Sequence, residues 1–163
     1  IPDVVAPIYE PEALKLSQPD GFEVGSNDQA QSYFFKDDAI IIPAEEPMPG
    51  NCSTLADYAT DAVAQYKQAT TAFSLHEEKE FAAADGTAGR SLEFSYEIVL
   101  EGQTLSYRCL AGYLLRDGTI YMITCKAKEE TFASHRDTFW AVLTSAEINE
   151  TKSTGEDSED ASS

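Results

Sequence analysis

The sequence predicts an α+β domain built from an antiparallel β-sheet and two helices. Three observations carry this. Apolar and aromatic residues alternate with period two in several short runs, as in a strand. The period changes to that of a helix over Leu55 to Tyr66 and again over Phe132 to Leu143. The runs that follow the first helix are joined by short glycine turns of the hairpin kind, at Glu101-Gly102 and Asp117-Gly118. With 163 residues, 42% of them apolar and 10% aromatic, the chain supplies one ordinary core, so one domain is expected. It spans 13–148, after a lead-in at 1–12 and before a tail at 149–163.

Pro2, Pro7 and Pro11 deny the lead-in backbone donors and favour an extended segment, a tether or a sheet edge. Ala13 to Ser17 alternates and runs into Pro19-Asp20-Gly21-Phe22, a turn after which Phe22 and Val24 face one way, so a first strand pair is expected here. Ser32 to Lys36 and Ala39 to Ala44 read as two short strands split by Asp37-Asp38, with Pro43 limiting how far the ladder continues. Pro47, Pro49 and Gly50 end the region. Leu55, Tyr58, Ala59, Ala62, Val63 and Tyr66 then form a helical face, and Thr54 with Asp57 three residues on is a capping-box arrangement.

Phe73 to Phe81, Ser91 to Leu100 and Thr104 to Leu115 read as strands, parted by Asp85-Gly86-Thr87-Ala88-Gly89 and by Glu101-Gly102. Tyr113 to Ala127 closes this four-strand meander, and its turn admits two registers. A three-residue loop Arg116-Asp117-Gly118 sets Cys109 against Cys125, and also Arg108 against Lys126, a like-charge pair that counts against it; a two-residue turn at Asp117-Gly118 sets Cys109 against Lys126. The second helix presents Phe132, His135, Phe139, Val142 and Leu143 on one face, with Ser134 and Asp137 as its expected cap and Trp140 beside the face. Asn149 to Ser163, with Glu150, Glu156, Asp157, Glu159 and Asp160 and no large apolar side chain, is expected to be disordered.

The formal charge of -18, from 29 acids against 11 bases, argues against nucleic acid and anionic lipid surfaces as partners. No run approaches the roughly 18 apolar residues of a membrane span. Nothing in the chain spells out catalytic chemistry. There is no Gly-x-Ser-x-Gly elbow, and Gly86-Thr87-Ala88-Gly89-Arg90-Ser91 lacks the spacing and lysine of a phosphate loop. His76 and His135 each stand without a second imidazole or cysteine nearby, so no transition-metal site is expected. The paired acids Glu45-Glu46, Glu77-Glu78 and Glu129-Glu130 read as solvated surface charge instead of a calcium site, because adjacent strand residues point to opposite faces. The glycosylation patterns Asn51-Cys52-Ser53 and Asn149-Glu150-Thr151 are assigned no role. No catalytic, metal or cofactor-binding residue is named, and no cofactor is expected.

Three readings compete for Cys125: a small buried hydrophobe, a bridge to Cys109 or Cys52, and a reactive thiol. A strand interior argues against the last, since a thiolate needs a cationic, part-exposed setting. Cys52, before the first helix, is the less constrained partner.

The order of strands, helix, meander, helix resembles the PsbP and Mog-type fold, and in particular its bacterial extracytoplasmic branch of DcrB-like and LpqN-like proteins. The residues that carry the resemblance are Leu16-Ser17-Gln18-Pro19-Asp20-Gly21-Phe22, the helix Leu55 to Tyr66, and the block Tyr113 to Ile148 with Phe132 and Phe139-Trp140-Ala141-Val142-Leu143-Thr144-Ser145. Phe22 stands where that family places tryptophan, and no cysteine near Ile1 could carry a lipid, so an anchor would lie upstream. The resemblance implies a twisted antiparallel sheet between helices, an α/β/α sandwich, whose central strands are apolar on both faces. It also implies an adaptor or ligand-binding accessory, as PsbP is to the oxygen-evolving complex and Mog-type proteins are to the GTPase Ran.

The expected function is therefore a non-catalytic, extracytoplasmic accessory domain, secreted or in the cell envelope, that binds a protein or small ligand. Its binding face is expected where the sheet is left open, with the loops Pro47 to Gly50 and Asp85 to Gly89. An intracellular adaptor for a basic or GTPase-like partner is the second reading, and a hydrolase with an unrecognised site the third.

Overall fold

A computed structural model of the chain describes residues 14–25 and 33–148. The lead-in, the acidic tail, Ala13, Ser32 and the second glycosylation pattern lie outside the described residues. The elements are β1 (Leu14–Lys15), β2 (Glu23–Gly25), β3 (Tyr33–Lys36), β4 (Ala39–Pro47), α1 (Leu55–Ala69), β5 (Thr71–Ala82), β6 (Ala88–Leu100), β7 (Gln103–Arg116), β8 (Thr119–Lys128), α2 (Phe132–Ser145) and β9 (Glu147–Ile148). Seven strands form one antiparallel sheet in the order β2-β3-β4-β8-β7-β6-β5, with a helix on each face. The class is α+β, and the meander β5 to β8 follows α1 as its glycine turns require.

Helix α1 begins where local chemistry dictates. The Thr54 hydroxyl accepts from the Asp57 N–H at 3.1 Å, and the Asp57 carboxylate accepts in return from the Thr54 N–H at 3.3 Å, so two amides with no helical partner are satisfied. Its apolar stripe packs on β5, β6 and β7, where Leu92, Phe94, Cys109, Ala111 and Tyr113 meet Tyr58 and Ala59. Helix α2 packs mainly on β4, β7 and β8, burying Phe132, Phe139, Val142 and Leu143 against Ile41, Leu110, Leu114, Ile123 and Cys125. Neighbouring residues of β7 thus serve opposite cores, which is why its stretch from Cys109 to Leu115 is apolar throughout. Gly112 lets α2 approach: a Cβ there would stand 2.8 Å from Leu143 Cγ.

Several expectations are corrected. Leu14 pairs with Ile148 and Lys15 with Glu147, so β1 joins the segment after α2 and forms no pair with Glu23–Gly25. Phe22 is buried while Val24 is 50% exposed, so the two do not share an environment. Pro43 does not stop its strand: the ladder continues to Pro47 opposite Thr119. Beyond Ile41 strand β4 has β8 on one side and no β3 on the other, so a residue lacking an N–H is accommodated at an open side. The turn after β7 is the two-residue one, with Asp117 at φ 49° and Gly118 at φ 79°, and Cys109 faces Lys126.

The start of α2 is not held by Ser134 and Asp137. Thr131 takes the N-cap position, and its hydroxyl donates to Asp38, which also accepts from the Lys128 N–H at 2.9 Å. Asp85 plays the matching part at the helix end, accepting from the Ile148 N–H at 2.8 Å, from Thr87, and from Arg116 Nη1 at 3.1 Å. Burial alone would raise both carboxyls. The hydrogen bonds prevail and hold both below the ordinary aspartate value of 3.8.

A depressed folded-state value means that each contribution is present above the unfolded value and lost as pH falls through the folded one. Urea unfolding of Asp38→Asn and Asp85→Asn should therefore show midpoints below the parent at pH 7. Between about pH 5 and pH 3 the variants' midpoints should fall less than the parent's, and parallel pH profiles would contradict these roles.

Candidate functional site

The three cysteines are buried and free in this structure. Cys109 points into the α1 core and Cys125 into the α2 core, so the register that opposes Cys109 to Lys126 places the two thiols on opposite faces and precludes a bridge between them. Cys52 shares the α1 core with Cys109, and no bridge joins them. Burial pushes the Cys109 thiol up to about 11 and lifts Cys125 well above its usual range, the opposite of what a nucleophilic thiolate needs.

The two loops expected to recognise a partner are tied to their surroundings. The Met48 N–H donates to the Gly118 carbonyl at 2.8 Å, and Asp85 holds Arg116, Thr87 and Ile148 as described. A recess among the described residues lies elsewhere. Because α2 sits over β4, β7 and β8, the same face of β5 and β6 carries no helix, and a cleft of about 330 Å³ opens between α2 and the sheet edge. It is lined by His76, Glu77, Lys79, Glu93, Arg108, Arg136 and Trp140.

Each side chain is placed by strand alternation or helix pitch. Leu92, Phe94 and Tyr96 point to the α1 core, so Glu93 between them points into the cleft, and it is only 5% exposed. Across the ladder, Leu110 belongs to the α2 core and Arg108, two residues before it, shares that face. Arg136 and Trp140 are one turn apart on α2. Glu93 Oε2 accepts from Arg108 Nη2 at 2.7 Å and from Arg136 Nη2 at 2.6 Å; Arg108 Nη1 also reaches Glu129 at 3.1 Å. Both guanidiniums stand over the Phe132 ring, 5.7 and 5.2 Å from its centroid. On the other wall, Lys79 Nζ lies 3.8 Å from Glu77 and 4.9 Å from the Trp140 ring.

His76 sits at an irregularity of the edge strand β5, and its Nε2 lies 2.8 Å from Ser95 Oγ. That is hydroxyl-to-base distance. His135, by contrast, packs its ring between Phe22 and Phe139. The paired acids are not all idle surface charge: Glu78 pairs with Arg90 at 2.6 Å, Glu129 with Arg108, and Glu46 accepts from the Tyr58 hydroxyl, which is lifted above its usual range by burial first and by that carboxylate second. Among the described residues no three His, Cys, Asp or Glu side chains converge as a metal site, and no helix is long and apolar enough to cross a membrane.

No protein-family model matches the chain, and no curated protein matches its sequence. Solved structures do match. The cyanobacterial PsbP protein CyanoP of Synechocystis sp. PCC 6803 aligns with TM-score 0.57 at 15% identity, over 83% of this chain and 92% of its own. The fold is PsbP-like. LpqN of Mycobacterium tuberculosis, described as involved in cell envelope biogenesis, aligns with TM-score 0.61 at 11% identity over 83% of each chain. PA94 of Pseudomonas aeruginosa, a regulator candidate of unknown function, aligns with TM-score 0.54 at 14% identity, again over 83% of each chain. At such identities these structures share architecture alone with this chain.

The cleft was not legible in the sequence because its residues come from β5, β6, β7 and α2 with no common spacing. One signal was present: Glu93 alternates with Leu92 and Phe94, which reads as an ordinary solvent-facing position. Converting Glu93 to Gln leaves two guanidiniums without their shared counter-charge. Arg136 is partly exposed, so the cost falls below that of a fully buried pair, to roughly 1–3 kcal/mol, read as a lowered urea midpoint at unchanged m-value.

Proposed function

We propose that this PsbP-like chain is a non-catalytic accessory domain, working outside the cytoplasm by binding a small ligand or a protein. The observation that carries the reading is the state of the cleft's ionisable groups. Glu93, Arg108, Glu129 and Arg136 are engaged with one another, an arrangement that fixes a binding surface and leaves neither of these carboxylates as a free base. His76 and Ser95 form the nearest approach to a catalytic pair. Efficient acyl transfer also needs a group that orients the imidazole and donors for the developing oxyanion. The lining offers Glu77 beside His76 but no hydrogen bond between them to orient the imidazole.

The involvement of LpqN in cell envelope biogenesis supports placing the chain outside the cytoplasm. The charge of -18 supports a partner other than nucleic acid.

A fluorophosphonate probe tests the non-catalytic reading directly. The folded chain is expected to remain unlabelled at Ser95; labelling that disappears on unfolding and in His76→Ala would overturn it and assign a hydrolase. Fractionation of source cells should find the full-length gene product outside the cytoplasm.

A further inference from the structure

The donors of the cleft exceed what its internal ion pairs use. Arg108 is spent on Glu93 and Glu129. Arg136 is not: its Nη2 donates to Glu93, while its Nε is buried and, among the described residues, is the buried side-chain nitrogen or oxygen left without a hydrogen-bond partner. A buried donor of this kind is rare in folded proteins and marks either strain or a place for a ligand atom. Glu93, itself almost fully buried, holds the guanidinium in place, so the orientation of that donor is set before anything binds. Also lining the cleft, from β5, Lys79 keeps half its side-chain surface exposed and touches Glu77 only at 3.8 Å. Trp140 stands next to both, one helical turn from Arg136 and under the Lys79 ammonium.

A planar guanidinium matches the geometry of a carboxylate or phosphate, and an ammonium adds an unoriented positive charge. Two such groups beside one aromatic ring, in a recess the size of a small molecule, make one recognition surface. We propose that this cleft binds a small organic oxyanion, a carboxylate or a phosphate monoester, on Arg136 and Lys79, with its carbon skeleton against Trp140. This deepens the binding role proposed above and rests on it. In a chain of charge -18 the net field disfavours an anion, so occupancy here needs these cations, and added salt should weaken it.

Trp140 is the one tryptophan of the sequence, so its emission reports the cleft alone. The full chain, in a buffer without phosphate or carboxylate, would be titrated with benzoate, phenyl phosphate and, as the uncharged control, benzyl alcohol. A saturable change with at least one anion and none with the alcohol is expected. Saturation by benzoate alone identifies a carboxylate ligand, by phenyl phosphate alone a phosphate ester, and by both a general oxyanion site. Lys79→Gln, at a half-exposed position, should fold as the parent does and bind about tenfold more weakly. No response to either anion up to about 10 mM, an equal response to benzyl alcohol, or unchanged affinity in Lys79→Gln would each overturn the proposal. Trp140 emission reads occupancy and the fluorophosphonate reads Ser95 chemistry, so a silent titration removes the oxyanion ligand without deciding whether the domain is catalytic.

Discussion

A helix about 10 Å wide can cover only two or three strands spaced near 4.8 Å. Two helices therefore cannot cover both faces of a seven-strand sheet, and where each one sits decides which residues must be apolar and which part of the sheet stays open. Here the helices are offset about β7. Helix α1 lies toward the β5 edge on one face, and α2 lies toward β4 on the other. Strand β7 is under both, and its residues divide by parity, Cys109, Ala111 and Tyr113 for α1 and Leu110 and Leu114 for α2. Gly112 removes the side chain that would hold α2 away. On the α2 side this leaves β5 and β6 without cover, and the residues there turn polar: Lys79 and Glu77 on one strand, Ser91, Glu93 and Ser95 on the next.

What the sequence disclosed follows the range of the interactions involved. The start of α1 was legible because its cap is made within four residues, by Thr54 and Asp57. The hairpin turns at Glu101-Gly102 and Asp117-Gly118 were legible because positive φ at adjacent positions demands such residues. The start of α2 was misassigned because the acceptor for Thr131 is Asp38, in a hairpin near the other end of the chain. The pairing of β1 with β9 is likewise non-local and only two residues long, with no pattern to betray it. The cysteine register turned on one residue of turn length, and a slip of one exchanges the faces of a whole strand. Composition cannot supply that.

The same parity explains why two of the thiols are enclosed. Every residue of β7 from Cys109 to Leu114 is buried, and on β8 so are Ile123, Cys125 and Ala127, so Cys109 and Cys125 are enclosed although they point to opposite faces. The tyrosines around Cys109 deepen this. Tyr66 stacks on Phe73 and lies 4.4 Å from Phe94, and Tyr96 lies 6.2 Å from Phe94. Burial raises Tyr66 to about 12, so the hydroxyls stay neutral and serve as packing with a polar tip. The α1 core thus holds ionisable groups without holding charge.

The α2 side behaves differently, for it holds buried charge. Burying a carboxylate between guanidiniums costs desolvation that their attraction only offsets, and an apolar trio of similar volume would hold the sheet as well. The ions at Glu93, Arg108 and Arg136 are therefore poorly explained as a device for stability. They occupy a stretch of that face that α2 leaves uncovered, next to an edge strand whose irregular register and charged residues already discourage pairing with another chain. A sheet edge protected from strand addition and lined by oriented cations suits a partner that binds through its charge and not through its backbone. The offset of the helices creates that place, and the buried glutamate fixes its chemistry.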